Sequence, residues 1–575
     1  MTSTETMALT LPPRARSFVY REPLFWAMLL VLGVLGVLIV YPATMLLWRS
    51  LIDNDGALSA VWYVRAYTSS RNLWAILNTL IIAAGTTAVA TLTGTLLAWA
   101  VVRTDMPGRR LIGAASIVPF ISTPFIGALA WMLLASPVTG LLNQLWRHLG
   151  GSGALFDIFS LGGIVFVEAL YEMPFVFLMV AGALRSMDPS LEEASLSAGA
   201  GIAKTTFRVT LPLVLPAILA SSLLVFVLAA EQFGVPAVLG TPARIRVLTT
   251  SIVETQTIYP PQHGLGAALS VTLLAIALTG LWLQQRILAG RSYTTIVGKA
   301  AHPRRIALGP FRWILAGICG SYLLLAVGLP FATIFLSSIR TIWTDDIQWQ
   351  QFTLENYRWV LFDYPITQRA IVNSLVLGIV GATVAILLCA FISFLSLRTK
   401  LPGRRLLDYL AMLPLGFPGV VLAFGLLQAW INPPLVLYGT IWILFVAYIT
   451  RYLPIGVRST SATLVQIHPE LEESSLSCGA GWYQTFKNIT LPLLKPGIIA
   501  GWVLLFIAFT RELSASVLLY SPTHEVLSVA IYDLHQSGHF QALSALAFMQ
   551  IVAALVVLAI ARKIAGIGKG PEVTH

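Results

Sequence analysis

Long apolar runs are the feature that most restricts what this chain can fold into. A run of 18 or more mostly apolar residues is long enough to cross about 30 Å of hydrocarbon as a helix. We predict six such spans in the first part of the chain, near residues 23–48, 73–102, 111–135, 160–184, 211–239 and 266–285. A second set is predicted near residues 313–339, 370–397, 406–430, 436–457, 491–520 and 541–561. The expected fold class is an all-α polytopic membrane protein with twelve transmembrane helices.

The composition agrees with this fold class and excludes an ordinary soluble protein. Hydrophobic residues make up 57% of the chain and charged residues only 11%, whereas roughly a quarter of the residues of a soluble protein are charged. The first apolar run is too long for the core of a secretory signal, so we predict an uncleaved first helix. The three cysteines lie far apart and predict neither a disulfide framework nor a metal cluster.

The chain repeats itself. The segment LEEASLSAGAG at residues 191–201 returns as LEESSLSCGAG at residues 471–481, 280 positions later. Upstream, RTDMPGRR at residues 103–110 returns as RTKLPGRR at residues 398–405, 295 positions later. The change of offset leaves about fifteen extra residues in the first half, which we place in the polar stretch near residues 136–159. Corresponding hydropathy in two halves indicates a transporter built by duplication.

We therefore predict two homologous six-helix halves, residues 1–305 and 306–575. The basic residues predict their orientation. With a cytoplasmic amino terminus, 26 of the 36 Lys and Arg residues, Arg451 among them, fall on the cytoplasmic side. The positive-inside rule then places both termini in the cytoplasm. Because topology accounts for the net charge of +11, no nucleic acid partner is predicted.

The repeated polar element lies between the fourth and fifth spans of each half, within residues 186–210 and 466–490. Pro189 and Pro469 suit the first turn of a new helix, and the acidic residues after them favour its positive end. The glycines that follow are expected to turn the chain with positive φ: Gly199, Gly201, Gly479 and Gly481. The predicted shape is a short helix along the membrane, a bend, and a helix that re-enters the membrane.

In this element the chain resembles the inner-membrane permeases of binding-protein-dependent ABC importers of the type I fold, whose cytoplasmic signature is the EAA motif. The signature glutamate and the glycine six residues later match Glu193 with Gly199 and Glu473 with Gly479. The chain departs from the Glu-Ala-Ala pattern by reading Glu-Ala-Ser and Glu-Ser-Ser. The resemblance implies that each motif is a coupling helix seated on an ATPase subunit. The ATPase-coupling residues so implied are Glu192, Glu193, Gly199, Glu472, Glu473 and Gly479.

The same resemblance implies the type I ABC importer permease fold, a bacterial inner membrane location, and three kinds of partner. These partners are two ATP-binding cassette subunits, a periplasmic substrate-binding protein and the lipid bilayer. The pattern GxxxxGK followed by Ser or Thr is absent from the sequence, so we predict a transport subunit without its own ATPase site. It is expected to bind no cofactor itself, while the partner subunits use ATP.

The fused arrangement, with FGVPAVLGTP in the first half and RELSASVLLYSP in the second, most resembles ferric iron permeases. Fused thiamine permeases share the architecture, and polyamine and phosphonate permeases are related alternatives. An ion-coupled secondary transporter is a further alternative. A membrane-embedded enzyme is disfavoured, because no nucleophile with a base and no metal-ligand cluster gathers on one set of helix faces.

Ionisable residues inside the spans are costly and therefore mark candidate sites on a solute pathway. Glu231 and Gln232 in the fifth span correspond to Arg511 and Glu512 in the eleventh. We predict that these four residues line the translocation path. The alternative is that Arg511 forms an ion pair with Glu231 or Glu512 that holds the halves together.

Two further sets of ionisable residues are weaker candidates. Glu168 and Glu172 lie one helical turn apart near the start of the fourth span, where they would reach the outer interface. His535 and His539 would share a face of a helix and are weak candidates for metal ligands. Ser537 and Gly538 lie between them, so an interfacial gate loop is the preferred interpretation, and no metal site is predicted firmly.

Overall fold

Helices form all of the regular secondary structure in the part of the chain that the computed structural model describes, residues 23–188, 190–289, 305–343 and 349–564. Six segments of the first half are long and apolar enough to cross a membrane: α1 (Pro23–Leu51), α2 (Ser70–Arg103), α3 (Arg109–Phe120 and Pro124–Ala135), α4 (Leu161–Ser186), α5 (Ile202–Ala230) and α6 (His263–Ile287). The second half repeats the series: α7 (Phe311–Ser338), α8 (Pro365–Arg398), α9 (Arg404–Gly416 and Gly419–Trp430), α10 (Ile441–Gln466), α11 (Trp482–Thr510) and α12 (Phe540–Ile560). The twelve apolar segments confirm the predicted fold class.

The third segment of each half is broken, which the sequence analysis did not predict. The two arms of α3 meet at an angle of 100°, and those of α9 meet at 111°. Proline explains both breaks, because it has no backbone N–H to donate and disfavours a helical conformation in the residue before it. Pro124 begins the second arm of α3, and Pro418 directly precedes the second arm of α9.

The fifth segment of each half is shorter than predicted. α5 ends at Ala230 and α11 ends at Thr510, so Glu231 and Arg511 are the residues that cap the two helices. The chain then turns before a single π-helical turn, Pro236–Gly240, or a short helix, Ser516–Leu519. The predicted path residues therefore lie in equivalent breaks after α5 and α11.

Short helices join the long ones. Those outside the polar repeats, with at least eight residues, are Val61–Thr68, Leu141–His148, Leu248–Thr257 and Leu527–Gln536. The connection from α3 to α4 spans residues 136–160, whereas the connection from α9 to α10 spans only 431–440. The helix Leu141–His148 occupies the longer connection, which confirms the predicted place of the fifteen extra residues. The predicted boundary at residue 305 follows residues 290–304, which lie outside the described residues, as do both termini and Pro189.

The first helix of each half packs against the opposite half. Tyr41 on α1 donates a hydrogen bond to the carbonyl of Ala429 on α9 at 3.3 Å, and its ring meets that of Trp430 edge-on. On the other side, the hydroxyl of Tyr322 on α7 donates to the carbonyl of Leu170 on α4 at 3.0 Å. Because the first helix of each half packs against the other half, the two halves form a single interlocked unit.

At one close contact between helices, the glycine lies on a different helix in each half. A Cβ atom on Gly94 of α2 would lie 2.7 Å from the Cβ of Val176 on α4. In the second half the equivalent positions are Cys389 on α8 and Gly456 on α10, and a Cβ on Gly456 would lie 2.6 Å from Cys389 Sγ. Small residues let helix backbones approach closely in a membrane. The close contact is thus kept while the glycine changes helix.

The different position of the glycine in the two halves predicts that Gly94→Cys and Val176→Gly, each damaging alone, compensate one another when combined. Gly94→Cys alone overpacks the contact, at a cost of about 1–3 kcal/mol, and Val176→Gly alone leaves a void. The double variant copies the pair of the second half and should recover most of the thermal stability that each single variant loses in detergent. Gly182→Cys is the control, because a Cβ there meets no atom within 4 Å. Additive losses in the double variant would contradict the packing argument.

Candidate functional site

The two repeated polar elements fold alike. Loop A, residues 190–210, begins with the helix Ser190–Ser197, and loop B, residues 470–490, begins with the helix Glu470–Ser477. After these helices the chain turns at two glycines of positive φ, +84° at Gly199 and +86° at Gly479. Of the four glycines in the two described loops, only these two need that freedom. The prediction of positive φ was wrong for the glycines two residues later.

Gly201 and Gly481 are extended, with φ of −70° and −72°, because each caps the next short helix. Those helices, Ile202–Thr205 and Trp482–Thr485, continue through a π-helical turn into α5 and α11. Each loop is therefore the continuous start of a membrane helix.

Loop A is tied to the end of α2 by three residues that we name brace A: Arg103, Glu192 and Thr210. Glu192 is 5% exposed, and its Oε1 accepts a hydrogen bond of 2.5 Å from the Thr210 hydroxyl. Its Oε2 lies 3.5 Å from Nη1 of Arg103, which is fully buried. Arg103 also donates from Nη2 to the carbonyl of Met187 at 3.4 Å. Brace A thus connects α2, the end of α4 and the start of α5.

Loop B repeats the arrangement with brace B: Arg398, Glu472 and Thr490. Glu472 Oε1 accepts from the Thr490 hydroxyl at 2.8 Å, and its Oε2 lies 3.3 Å from Nε of Arg398. Arg398 donates from Nη2 to the carbonyls of Leu464 and Ile467, at 2.9 and 2.6 Å. The glutamate before each EAA position is therefore an internal anchor of the loop.

The serines that replace the second alanine of the EAA pattern have a role in closing the bend. The hydroxyls of Ser195 and Thr205 lie 2.9 Å apart, and so do those of Ser475 and Thr485. Each pair joins the first short helix of its loop to the second. The departure from the Glu-Ala-Ala pattern thus provides a hydrogen bond across the bend.

The outer faces of both loops carry acidic and apolar side chains. Glu193 and Glu473 are exposed. Four leucines beside them are 40–50% exposed: Leu191, Leu196, Leu471 and Leu476. Apolar side chains grouped on an exposed surface are typical of a protein–protein contact. The two faces are equivalent and lie at the same end of the helices as the braces.

A second cluster of charged residues joins the two halves, and we name it the charge cluster: Glu172, Glu231, Arg451, Arg511 and Glu512. Its centre is Arg451, in the middle of α10. Nη2 of Arg451 lies 3.4 Å from Oε1 of Glu231 in the first half, and Nη1 lies 2.7 Å from Oε1 of Glu512. The Tyr452 hydroxyl donates to the other carboxylate oxygen of Glu512. A Cβ on Gly419 would overlap the Arg451 guanidinium, so only glycine leaves room for this side chain.

Arg451 was counted among the cytoplasmic basic residues, and that prediction was wrong. Arg451 is the eleventh of the 26 residues of α10, and its side chain is only 13% exposed. The predicted alternative was an ion pair from Arg511, but both pairs involve Arg451. Arg511 instead donates to the carbonyl of Phe120 in the first half, with its guanidinium 4.8 Å from the centre of the Phe120 ring.

The carboxylates of α4 belong to the interior. Glu168 and Glu172 are 0% and 5% exposed, so their predicted place at the outer interface was wrong. Glu168 accepts a hydrogen bond of 3.2 Å from Thr86. Glu172 lies within electrostatic reach of Arg511 and Glu231. Glu172 therefore extends the charge cluster toward α4.

Gln232 is half-buried beside the charge cluster, and its carbonyl accepts a hydrogen bond of 2.9 Å from Thr249. The structure brings Glu231 and Glu512 together through Arg451. Gln232 contributes backbone contacts, since its N–H also donates to the carbonyl of Ala229 at 3.2 Å.

The two histidines do not share a helix. His535 belongs to the helix Leu527–Gln536, whereas Gly538, with φ of +77°, separates that helix from His539. His535 is packed among the rings of Phe125 and Phe540, and burial lowers the pKa of His535 to about 4. His539 lies against Trp359, with ring centres 5.5 Å apart. Within the described residues, no group of three or more His, Cys, Asp and Glu side chains is placed to hold a metal ion.

The profile of one protein family matches this chain twice. The family is the binding-protein-dependent transport system inner membrane component, and the matched residues are 90–291 and 383–566. The chain belongs to this family. Each match lies within one half and includes the polar loop of that half and its part of the charge cluster.

Curated relatives of this permease extend over most of its length. A protein of Haemophilus influenzae, provisionally named ferric transport system permease protein FbpB 1, is 28% identical over 88% of this chain and 79% of its own. The ferric transport system permease protein FbpB of Actinobacillus pleuropneumoniae is 27% identical over 92% of this chain and 77% of its own. A protein of Salmonella paratyphi A, provisionally named 2-aminoethylphosphonate transport system permease protein PhnV, is 29% identical over 42% of this chain and 91% of its own. The last match shows that about half of this permease corresponds to nearly a whole relative.

Sequence reasoning named Arg511 but missed the roles of Arg103 and Arg398 in the braces and of Arg451 in the charge cluster. Arg103 and Arg398 begin the repeated RTxxPGRR segments, so the repetition itself was a signal that each has a structural partner. Arg451 gave no such signal, because its equivalent in the first half is Tyr171. The pairing of Arg451 becomes visible only when α10 is placed beside the breaks after α5 and α11.

The buried and exposed glutamates of loop B should differ in what they contribute to stability. Glu472→Gln leaves Arg398, whose side chain is only 12% exposed, without a charged partner. Removing one partner of a buried pair costs about 3–5 kcal/mol. Amide hydrogen exchange of residues 470–490 should therefore accelerate strongly in this variant. Glu473→Gln is the matched control, because that side chain is exposed and should leave exchange unchanged. Equal exchange in both variants would rule out brace B as the anchor of the loop.

Proposed function

We propose that this permease is the membrane-spanning subunit of an ABC importer that moves ferric iron from a periplasmic binding protein to the cytoplasm. Two observations support this solute. Relatives named as ferric transport permeases match 88% and 92% of the chain, and the charge cluster has more carboxylates than guanidinium groups. Buried carboxylates favour a cationic solute over an anionic phosphonate, since opposite charges attract strongly where water is excluded.

The proposed energy source is a pair of separate ATPase subunits seated on loops A and B. The exposed acidic and leucine face of each loop supports this docking, because nothing within the described residues covers it. The absence of a P-loop pattern from the sequence also supports it. In this proposal Glu193 and Glu473 touch the ATPase, while the braces carry its movement to α2 and α8. Both loops and both termini then face the cytoplasm.

The proposed path runs between the halves, past Glu231, Gln232, Arg511 and Glu512, with Arg451 added by the structure. In the arrangement described, Arg451 bridges the two halves through Glu231 and Glu512, so the route between them is closed by ion pairs. Opening requires that these pairs separate. A passing cation would stabilise the separated state, because it replaces Arg451 as the partner of the two carboxylates.

Charge reversal on the two loops should release the ATPase without unfolding the permease. The Glu193→Lys, Glu473→Lys double variant keeps both braces and changes only exposed groups. We expect loss of the ATPase subunit from the detergent-purified complex and loss of coupled ATP turnover. The control is Asp55→Lys with Glu355→Lys, two exposed charge reversals in the connections α1–α2 and α7–α8, at the other end of the helices. Retention of a coupled ATPase by the loop variant would refute the docking face.

Solute uptake tests the proposed substrate and path together. Proteoliposomes with the permease, its ATPase and its binding protein should accumulate radiolabelled Fe(III) when ATP is supplied. Glu231→Lys should abolish this uptake while the complex remains assembled, because a lysine would repel both Arg451 and the cation. ATP-dependent uptake of thiamine, spermidine or 2-aminoethylphosphonate in place of iron would overturn the substrate. Uptake by the permease alone under an ion gradient would favour a secondary transporter.

A further inference from the structure

A cavity of about 510 Å³ opens beside loop A and carries four arginines: Arg109, Arg110, Arg185 and Arg305. It lies between the end of α2, the first arm of α3 and the end of α4. Its remaining walls are apolar or small, formed by Val101, Val102, Gly113, Ala114 and Ile117. A pocket of this size is large enough for a small molecule or a lipid headgroup.

Among the residues that the structure describes, the arginines of this cavity lack side-chain partners. Within the described residues, none of the four forms an ion pair or a side-chain hydrogen bond. Arg110 and Arg305 instead lie close enough to Arg109 to repel it. The nearby carboxylate of Asp105 is engaged elsewhere: it accepts from the amide of Leu308 at 3.0 Å and faces Arg312 at 3.7 Å.

Arg305 is held in place by the backbone. The chain segment that leads into the second half runs beside the end of α2, where the amide of Ile306 donates to the carbonyl of Arg103 at 2.9 Å. The amide of Asp105 donates back to the carbonyl of Ile306 at 3.2 Å. Holding Arg305 and Arg110 close to Arg109 costs electrostatic energy. An anion in the cavity would remove that cost.

The described residues of the second half do not repeat this set of four arginines. Arg404 and Arg405 correspond to Arg109 and Arg110, but Arg404 donates to the carbonyl of Thr399 at 2.7 Å. The position of Arg185 is taken by Val465. The four-arginine arrangement therefore belongs to the first half alone, and one ligand per chain is expected.

We propose that this cavity binds a phosphate-bearing anion. Arginine is suited to phosphate because its planar guanidinium donates two parallel hydrogen bonds to the oxygens. The apolar walls and the position at the end of the transmembrane helices favour the headgroup of an anionic phospholipid, since basic pockets between helices on the cytoplasmic side bind such headgroups. A free phosphate or a soluble phosphate ester has the same chemistry and is the other source.

The position of the cavity gives the ligand a route to loop A. Val102 in its wall directly precedes Arg103 of brace A, and Arg185 lies at the end of α4, just before the loop. An anion that draws Arg109 and Arg185 together would hold the ends of α2 and α4 at a fixed separation. Binding would then stabilise the position of one loop only. This binding does not depend on the identity of the transported solute.

The test compares two triple variants of the full chain purified in detergent. R109Q/R185Q/R305Q removes three cavity arginines, and R405Q/R458Q/K487Q removes three exposed charges from the second half. Binding of phosphatidylglycerol is measured by native mass spectrometry and by thermal stabilisation, with phosphatidylcholine as the neutral lipid. The wild type and the second-half variant should bind phosphatidylglycerol saturably. Affinity of the cavity variant should fall about fivefold for each arginine removed, roughly a hundredfold in all.

Two further titrations distinguish a lipid headgroup from a soluble phosphate as the ligand. Inorganic phosphate and glycerol phosphate are titrated at millimolar concentration against the same proteins. Saturable binding of either that is lost only in the cavity variant supports the site with a soluble ligand. Equal binding of phosphatidylglycerol by all three proteins, equal loss in both variants, or equal binding of phosphatidylcholine would overturn the proposal. If the triple variant elutes as an aggregate, the single variant Arg305→Gln is used, with a fivefold loss expected.

Discussion

The buried contacts of Arg103 with Glu192 and of Arg398 with Glu472 are the interactions on which the rest of this structure depends. Taking a carboxylate and a guanidinium out of water is expensive, and the attraction between them repays this only with good geometry and additional hydrogen bonds. Both braces provide the additional hydrogen bonds: Thr210 and Thr490 donate to the two carboxylates, and the two arginines donate to backbone carbonyls. Because separating either pair would leave a charge buried alone, loop and helix are expected to move together.

The fusion of two halves in one chain permits differences that a symmetric pair could not have. Glu231 of the first half faces Arg451 of the second, while the equivalents of these two residues are Arg511 and Tyr171. Two copies of the second half would bring Arg511 toward Arg451, and like charges in a poorly hydrated interior repel strongly. The cross-half ion pair therefore requires two different halves. The two halves also differ in the helix that carries the close-contact glycine, Gly94 on α2 or Gly456 on α10, and in the cavity beside loop A.

Much of the architecture was predictable from the sequence, because apolar runs and repeated segments are local signals. The twelve segments, the place of the extra residues and the turns at Gly199 and Gly479 follow from such signals. The breaks in α3 and α9 were missed because hydropathy does not register the direction of a helix, although the prolines were visible. The burial of Glu192 and the pairing of Arg451 were missed for a different reason. Both depend on contacts between residues far apart in the chain, which a single sequence does not display.

The transmission of movement through the braces can be measured by the distance between spin labels on α2 and α8. Leu92→Cys and Leu387→Cys place labels at equivalent exposed positions, and Cys478→Ser removes the exposed native thiol. With the ATPase subunits present, ATP should shift the distance distribution between the labels. The shift should disappear when Glu192→Gln and Glu472→Gln cut both braces while the ATPase remains bound. An unchanged shift in the brace variant would contradict the account, because the loops would then move the helices by another route.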